Sequence, residues 1–391
     1  MQDGFDSLGN WNSSDQTPCG CLVHLTFLDL SDNGLVGGIP NEIGKCTSLE
    51  RIYLNNNKFT GQIPSEVGKL SNLTSLNLCN NRIGGPIPEE IGNLSSLVEF
   101  VVYTNNITGS IPHSFGNLKN LVTFRAGQNA ISGSLPAEIG EYMVLWGNQV
   151  SGVIPKELGN CSRLETIALY QNNLVGPLPP EIGNLKSLRK LYIYRNGLNG
   201  TIPREIGNLS LAAEVDFSEI RRIPPYICQC SSLILLNLEY NDLNGNTPSG
   251  VLSCRSLVQL CLVGNMLTGS FPSQLCNLPN LSAIGLNQNK FTGPIPSEIG
   301  NCQKLQRLHI SDNYFTSELP KEIGYLSQLV TFNTSSNLLT GWIPPEIVNC
   351  TMLQRLDLSR NRFIGALPDE LGTLSFSGFQ KIISLETYQQ H

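Results

Sequence analysis

Apolar and polar residues alternate over short stretches of this chain, and the stretches return at a fixed interval. Within residues 49–64, Ile52 and Leu54 alternate with polar neighbours, which is the period of a short strand with one buried face. Most stretches close on an apolar residue followed by proline. Fifteen such prolines occur from Pro40 to Pro368, and twelve of the fourteen intervals between them are 24 residues. The chain is therefore built from tandem copies of one short unit.

The residues inside each copy indicate the fold class. A period of about 20–29 residues that contains Leu-x-x-Leu-x-Leu-x-x-Asn is typical of a leucine-rich-repeat solenoid. We predict an α/β repeat solenoid, a leucine-rich-repeat superhelix with a concave parallel β-sheet and short helical or irregular convex segments. An inward-pointing asparagine at the turn, such as Asn57, can pair backbone groups that would otherwise be buried without partners.

Three segments follow from this pattern. We predict a degenerate N-terminal cap over residues 1–21, about fifteen repeats over 22–370, and a non-repeat tail over 371–391. The repeats are irregular near 139–148 and 211–224, where the proline interval falls to 19 and 21 residues. An insertion loop would lengthen a repeat, so we favour missing sequence, through a faulty gene model or omitted residues, over a functional kink.

Composition narrows the classes of partner and compartment. The net charge of −6 argues against a nucleic-acid partner, because such proteins carry a basic surface. No apolar run is long enough to span a membrane, and the first residues lack the features of a signal peptide. Ten Asn-x-Ser/Thr sequons nevertheless favour the secretory pathway. One is Asn12, and the nine predicted glycosylation sites are Asn72, Asn93, Asn106, Asn160, Asn199, Asn208, Asn280, Asn333 and Asn349.

Half of the twelve cysteines share one position in the repeat. Each lies six residues after a motif proline, where other repeats carry leucine, and cysteine can serve as a small buried apolar residue. We therefore predict core packing rather than disulfides for Cys46, Cys161, Cys230, Cys254, Cys302 and Cys350. No Cys-x-x-Cys pair occurs, so we expect neither a zinc site nor any other metal or cofactor.

The solvent-facing strand positions carry the candidate binding residues. These are the third, fifth, seventh and eighth positions of Leu-x-x-Leu-x-Leu-x-x-Asn. The seventh positions of three consecutive strands hold Trp146, Tyr170 and Tyr194, at an ordinary strand spacing of about 4.8 Å. Such a row suits an extended peptide, although tyrosine is also simply a good exposed strand residue. The remaining candidates on this face are Arg125, Lys190, Tyr192 and Arg195.

A second basic group lies further along the same face, at Arg307, His309, Arg355 and Arg360. It could meet a peptide carboxylate. We favour the simpler explanation, which is ion pairing with Asp312 and Asp357. A glycan on Asn333 would stand on the sheet and discourage binding there, so we place recognition within residues 53–240.

Signatures of catalysis are absent from the sequence. No phosphate-binding Gly-x-x-x-x-Gly-Lys, His-Glu-x-x-His or Gly-x-Ser-x-Gly motif occurs, and there is no kinase signature. The four histidines are scattered, and outward carboxylates such as Asp29, Glu99, Asp216 and Glu239 occur singly. We predict that this chain is not an enzyme.

The repeats resemble the plant-specific class of leucine-rich repeats, over about residues 22–370. Residues 5–21, with Trp11 and the cysteines Cys19 and Cys21, resemble the N-terminal cap of plant receptor-like kinases. The family cap has a tryptophan-containing stretch between its paired cysteines, and this chain departs from it because only one residue separates Cys19 from Cys21. Residues 103–106, 124–129 and 169–173 resemble the ectodomains of peptide-sensing receptor kinases. Within them, Arg125 through Gln128 resembles the Arg-x-Gly-Gly signature of growth-factor-peptide receptors and departs from it at Gln128.

The resemblance implies a function. It suggests the extracellular ligand-binding module of a plant receptor-like kinase, a glycoprotein on the extracellular face of the plasma membrane that recognises a secreted peptide or protein. Family members add a signal peptide, a transmembrane helix and a cytoplasmic kinase, and they share ligand with a smaller leucine-rich-repeat co-receptor kinase. Two alternatives stay open. One is a soluble apoplastic inhibitor of cell-wall-degrading enzymes, and the other is a non-functional receptor fragment.

Overall fold

The computed structural model describes residues 24–136, 140–200, 202–218, 232–247 and 249–368. It forms two compact units, Met1–Asn199 and Gly200–His391. The predicted cap and tail lie outside the described residues, and so does much of the second irregular repeat.

The first unit contributes eight described strands to a parallel main sheet, one from each repeat. Neighbours pair in register, so that Arg51 lies between Phe27 and Ser75. In each strand the central residue points into the core and its two neighbours lie on the opposite side, where Ser75, Val101 and Ala168 are nevertheless buried. The strands are Phe27–Asp29, Arg51–Tyr53, Ser75–Asn77, Glu99–Val101, Thr123–Arg125, Tyr142–Val144, Thr166–Ala168 and Lys190–Tyr192.

Short 3₁₀ helices and lateral strands complete these repeats. Each 3₁₀ helix follows a motif proline in extended conformation and buries its central apolar residue, as at Ile91. The 3₁₀ helices are Asn41–Lys45, Ser65–Lys69, Glu89–Asn93, His113–Asn117, Lys156–Asn160 and Pro180–Asn184. The lateral strands are Val36–Gly38, Lys58–Thr60, Gly84–Pro86, Asn106–Thr108, Ser151–Gly152, Asn173–Gly176 and Gly197–Leu198.

The second unit repeats this plan. Its main-sheet strands are Glu214–Asp216, Leu235–Asn237, Gln259–Cys261, Ala283–Gly285, Arg307–His309, Thr331–Asn333 and Arg355–Asp357. Its lateral strands are Asn244–Gly245, Met266–Leu267, Thr292–Pro294, Tyr314–Ser317 and Leu338–Leu339. Its 3₁₀ helices are Arg204–Asn208, Ser249–Ser253, Ser273–Asn277, Ser297–Asn301, Lys321–Tyr325 and Pro345–Asn349. Both units are leucine-rich-repeat solenoids, which confirms the predicted fold class.

A buried asparagine closes the turn of most described repeats. The Nδ2 of Asn172 donates to the carbonyl oxygens of Leu145, Leu169 and Tyr170, and its Oδ1 accepts from the amide of Val150. The same pattern is made by Asn57, as predicted. One polar side chain per repeat thus satisfies backbone groups of its own turn and of the preceding repeat.

The eighth repeat position adopts a left-handed backbone. Its φ values lie near +50 to +58°, for example 54° at Thr104 and 52° at Arg195. Asparagine and glycine tolerate this region best, whereas a β-branched residue such as Thr104 adopts it only where neighbouring structure enforces it.

The first short repeat is continuous with its neighbours in the main sheet. Its strand Tyr142–Val144 pairs with Thr123–Arg125 on one side and with Thr166–Ala168 on the other. Gly140 occupies the usual leucine position, and a Cβ there would lie 2.0 Å from the carbonyl oxygen of Leu121. The absence of a side chain at Gly140 therefore allows the shortened repeat to pack closely against the backbone of the preceding repeat.

The prediction that the repeat cysteines only pack in the core is wrong for two of them. Cys302 forms a disulfide with Cys276, and Cys254 is also disulfide-bonded. Cys46 and Cys350 are buried as predicted, and Cys161 is partly exposed. Cysteines about one repeat apart in sequence lie in adjacent coils of the solenoid, so they can come close enough to form a disulfide. Cys19, Cys21 and Cys230 lie outside the described residues.

Candidate functional site

The solvent-facing side of the main sheet, here the sheet face, presents its side chains in columns. In the first unit the fifth-position column places Arg125, Val144, Ala168 and Tyr192 directly beside one another. The third-position column in the same strands holds Thr123, Tyr142, Thr166 and Lys190. Columns of this kind run across the strands, so an elongated ligand that follows them crosses several repeats.

The seventh-position column forms a continuous stack of rings, here the aromatic ladder. The ring centroids of Trp146 and Tyr170 lie 5.3 Å apart with planes 10° from parallel. Those of Tyr170 and Tyr194 lie 4.6 Å apart with planes at 7°. All three side chains are half-buried. The predicted row of aromatic residues therefore exists as a row of mutually stacked rings.

A glycine at the head of the aromatic ladder makes room for it. Gly127 occupies the seventh position of the preceding repeat, and a Cβ there would lie 2.7 Å from Nε1 and 2.9 Å from Cδ1 of Trp146. The indole thus lies against the backbone of Gly127 on one face and against Tyr170 on the other. Gly127 was not among the predicted site residues, although a glycine one repeat before Trp146 is a usable sequence signal.

Because the rings cover one another's faces, the aromatic ladder offers mainly ring edges and polar atoms to a ligand. Burial raises the pKa of Tyr170 above its ordinary value, so its hydroxyl stays protonated throughout the physiological range. Each tyrosine hydroxyl can donate and accept, and the indole Nε1 can donate. The surface is apolar along its sides and polar at its exposed edge.

Beside the aromatic ladder, the fifth-position column carries two small apolar residues, Val144 and Ala168. Val144 is half-buried and Ala168 is only 5% exposed. In the third-position column Tyr142 donates a hydrogen bond of 2.8 Å to Glu165, which raises the pKa of this tyrosine. Arg125 precedes the apolar pair in its column and Tyr192 follows it.

Comparisons with family models and solved structures identify the family of this chain. The model described as a leucine-rich repeat region matches residues 7–124, and the leucine-rich-repeat model matches residues 163–185, 187–209, 304–326 and 352–374. A leucine-rich-repeat protein of Leptospira interrogans is 31% identical, with 92% of this chain and 83% of that chain covered and a TM-score of 0.70. The chain belongs to the leucine-rich-repeat family.

Two further solved structures are those of receptors. This leucine-rich-repeat chain is 32% identical to a TDR receptor, over 90% of this chain and 63% of that chain, with a TM-score of 0.84. It is 27% identical to the Arabidopsis receptor kinase HAESA, solved with the peptide hormone IDA and the co-receptor SERK1, over 93% of this chain and 70% of that chain, with a TM-score of 0.69. No curated protein matches the sequence.

The cations at the two ends of the aromatic ladder differ in their surroundings. Arg125 is exposed, and within the described part of the leucine-rich-repeat chain it makes no ion pair. At the other end Lys190 and Arg195 are exposed and Tyr192 is half-buried. The candidate residues therefore share one face of the first unit, with the rings in contact and Arg125 one repeat upstream.

The second basic group does not pair with aspartates as predicted. Among the described residues, no ion pair joins Arg307, Arg355 or Arg360 to an aspartate. Asp312 instead accepts from the Ser311 hydroxyl, and Asp357 accepts from the backbone amide and hydroxyl of Ser359. The ion-pairing prediction was wrong because each aspartate lies close to a serine of its own turn.

Two carboxylates of the second unit, Asp216 and Glu239, each accept a hydrogen bond from a neutral side chain. Asp216 accepts from the side-chain amide of Asn237, and the Cys261 thiol donates to Glu239 at 2.6 Å. Burial and the Glu239 carboxylate raise the pKa of that thiol, so it is a poor nucleophile. In the described part of the chain no cluster of three or more His, Cys, Asp or Glu could hold a metal ion.

The sequon asparagines in the described residues lie mostly away from the sheet face. Asn93, Asn160, Asn208 and Asn349 end 3₁₀ helices. Asn72, Asn106, Asn199 and Asn280 are exposed on turns or lateral strands. Asn333 lies on the sheet face of the second unit, where its Oδ1 accepts from the amide and hydroxyl of Ser335.

Proposed function

We propose that this chain is the extracellular ligand-binding module of a plant receptor-like kinase, which holds a secreted peptide or protein segment in extended form on the sheet face of its first unit. The observation that carries the proposal is the aromatic ladder of Trp146, Tyr170 and Tyr194. An exposed strand residue needs no aromatic partner, whereas three stacked rings on one face form a preorganised binding surface.

The solved relatives support a receptor role. One is a TDR receptor at a TM-score of 0.84, and another is a receptor kinase solved with a peptide hormone and a co-receptor. By analogy we propose a peptide ligand for this chain and a smaller leucine-rich-repeat co-receptor kinase as second partner. Because the chain spans 63% of the TDR structure, signalling through a kinase remains part of this proposal. Among the described residues, no helix is both long and apolar enough to cross a membrane.

Chemistry outside the binding face supports an extracellular location. The disulfide between Cys276 and Cys302, and the further disulfide of Cys254, require an oxidising compartment in most organisms. Eight of the nine predicted glycosylation sites are exposed, and none of those in the first unit lies on its sheet face. N-glycans at these asparagines would leave the aromatic ladder open to ligand.

The geometry suggests how binding would work. Stacking already fixes the rings, so their side chains lose little conformational entropy when a ligand binds. Its backbone would meet the donors and acceptors at the ring edges, and its apolar side chains would pack beside them. Arg125, which is exposed at one end of the aromatic ladder, adds positive charge that attracts acidic ligands.

A binding assay tests this proposal. The secreted, glycosylated chain is titrated against a panel of synthetic plant signalling peptides, alongside a Tyr170→Ala/Tyr194→Ala variant. We expect one peptide class to bind the wild type and to lose at least about tenfold in affinity on the variant, since central aromatic anchors contribute about 2 kcal/mol or more.

A matched control variant shows whether a loss of affinity depends on the sheet face or follows from removing any two exposed tyrosines. The Tyr314→Ala/Tyr325→Ala variant removes two exposed tyrosines from a lateral strand and a 3₁₀ helix. It should bind like the wild type. If folded wild-type protein binds no peptide, or if both double variants lose affinity equally, the proposed function is rejected.

A further inference from the structure

The shortened repeat of the first unit lacks two buried side chains. In intact repeats the 3₁₀ helix is followed by Leu-x-x-Leu, and both leucines of residues 94–97 are completely buried. In the short repeat, whose proline interval is 19 rather than 24 residues, Gly140 stands at the second leucine position and no residue corresponds to the first. Whatever its origin, the shortening removes two side chains that would normally lie between the neighbouring repeats.

Open cavities lie where these side chains are missing, on the side of the unit that carries the 3₁₀ helices. Gly140, Cys161 and Arg163 border both cavities. The smaller cavity, of about 130 Å³, reaches buried apolar residues of the preceding repeat, and the larger, of about 190 Å³, reaches polar residues of the following one. The apolar residues are Phe115, Leu118 and Leu121, and the polar ones are Asn160 and Ser162.

Cys161 shows that the shortening uncovers part of the core. It holds the same repeat position as Cys46 and Cys350, which are buried, but it is partly exposed. The repeat before Cys350 supplies Leu326 at the corresponding position, whereas the repeat before Cys161 supplies no leucine there. Exposed apolar surface is unfavourable in water, so a group that fills the cavities would stabilise the unit.

An N-glycosylation sequon lies at the rim of these cavities. Asn160 is the acceptor residue of the sequon Asn160-Cys161-Ser162, and it belongs to the lining of the larger cavity. Asn93 is also a sequon residue and holds the same position at the end of its own 3₁₀ helix. The repeat before Asn93 is intact, whereas the repeat before Asn160 is the shortened one.

The first sugar of an N-glycan suits both cavities. N-acetylglucosamine is joined directly to the asparagine side chain, so it stays close to Asn160. Its methyl and ring C–H groups are apolar and can cover the leucines of the preceding repeat, while its hydroxyls can bond to Ser162 and Arg163. Arg163 also lies 3.4 Å from Glu141, and its guanidinium has further N–H donors. A cavity of about 150 Å³ holds a benzene-sized group, so the two cavities have room for a sugar ring.

We propose that the N-glycan at Asn160 is a structural part of the first unit. Its first N-acetylglucosamine occupies the cavities of the shortened repeat and takes the place of the missing side chains. The glycan at Asn93, beside an intact repeat, extends into solvent and contributes little to stability. This role belongs to a surface away from the aromatic ladder, so it goes beyond the proposed function.

Thermal unfolding of the secreted, glycosylated chain tests this role. In a Trp11→Phe/Trp342→Phe background the emission of Trp146, which lies in the shortened repeat, reports on the first unit. Asn160→Gln should lower the unfolding midpoint by about 3 °C or more, whereas Asn93→Gln should change it by less than about 1 °C. Mass spectrometry checks the glycan, and a wild-type chain without a glycan at Asn160 overturns the proposal.

Alkylation of Cys161 locates the sugar. Because this thiol borders both cavities, the glycan should slow its reaction with iodoacetamide by about tenfold or more relative to Asn160→Gln. Peptide mapping measures the rate at this cysteine alone. Asn93→Gln should leave the rate as it is in the wild type.

Filling the gap from within the chain should make the glycan dispensable. Insertion of Asn-Leu-Lys-Asn-Leu, the sequence of residues 117–121, between Gly140 and Glu141 restores the 24-residue interval. In this background Asn160→Gln should no longer lower the midpoint, since glycan and inserted leucines fill the same space. If the insertion variant does not fold, the alkylation rates decide.

The outcomes separate this inference from the proposed function. Equal effects of Asn160→Gln and Asn93→Gln on the midpoint and on the alkylation rate overturn the inference. An undiminished effect of Asn160→Gln in the folded insertion variant also overturns it. Asn160→Gln should bind peptides on the aromatic ladder as the wild type does, so these results leave the proposed function standing.

Discussion

At the scale of single residues, the turn asparagine joins backbone groups of two successive repeats by hydrogen bonds. Asn172 is 7% exposed, and it makes four hydrogen bonds to backbone groups of its own and the preceding repeat. Three of those groups, the carbonyl oxygens of Leu145, Leu169 and Tyr170, belong to turns that carry ladder rings. Local stability and the shape of the binding face therefore depend on the same amide.

Replacement of this asparagine tests that dependence. Asn172→Leu keeps about the same volume but leaves the Val150 amide without its acceptor and removes one donor from each of three carbonyl oxygens, which keep their bonds from other groups. We expect a loss of about 2–3 kcal/mol in the free energy of unfolding, because an unsatisfied buried amide costs about 1–3 kcal/mol and the lost hydrogen bonds add to this. Urea denaturation followed by circular dichroism measures the change.

The exposed neighbour Asn173 provides the control. Its side chain lies in solvent, while its backbone amide bonds to Val150 whatever the side chain is. Asn173→Ala should change the free energy of unfolding by less than about 0.5 kcal/mol. Equal effects of the two substitutions would contradict the role assigned to the buried asparagine.

At the scale of elements, periodicity is sufficient to predict strands, turns and outward positions. The strand period of two and the 24-residue repeat together place Trp146, Tyr170 and Tyr194 on one face. Their mutual stacking, and the way Trp146 lies on Gly127, depend on ring rotamers that sequence does not specify. The repeat pattern does not predict the disulfide between Cys276 and Cys302, because the two cysteines hold different positions in their repeats.

The support that Gly127 gives to the aromatic ladder can be tested. Gly127→Ala introduces a methyl group at about the position that Trp146 occupies, so the indole must move away. In a Trp11→Phe/Trp342→Phe background we expect red-shifted tryptophan emission and at least about tenfold weaker binding of any peptide that depends on the ladder. Gly34→Ala is the control, because nothing lies within 4 Å of its Cβ position.

The strand Arg307–His309 gives the second unit a dependence on pH. Burial, then the charges of Arg307 and Arg355, lower the pKa of His309 from its ordinary value of 6.5. The neighbouring strands Ala283–Gly285 and Thr331–Asn333 supply no charged group. As pH falls below about 6.5 the unfolded chain binds this proton more readily than the folded chain, so stability decreases.

His309→Gln removes the titrating group, and its denaturation midpoint should fall less between about pH 7.5 and about pH 5 than that of the wild type. Arg355→Gln should also reduce the decline, since it removes one of the charges that disfavour protonation. A wild-type midpoint that rises as pH falls, with both variants unchanged, would contradict this assignment.

At the scale of the whole molecule, a repeat protein distributes its stability locally. Each repeat contacts only its neighbours, so a change in one repeat is felt mainly nearby. The disulfide between Cys276 and Cys302 joins two successive 3₁₀ regions of the second unit across 26 residues of sequence. A crosslink of this length stabilises by about 3.5 kcal/mol at most, through the lost freedom of the unfolded chain.

Cys276→Ala/Cys302→Ala should therefore weaken the second unit and spare the first. The two units each hold one tryptophan in the described residues, Trp146 and Trp342, so each can be followed separately once Trp11 and the other tryptophan are phenylalanine. We expect the urea midpoint reported by Trp342 to fall clearly and that reported by Trp146 to change little. Equal shifts at both probes would mean that the chain unfolds as one cooperative block, and the local account of its stability would then be wrong.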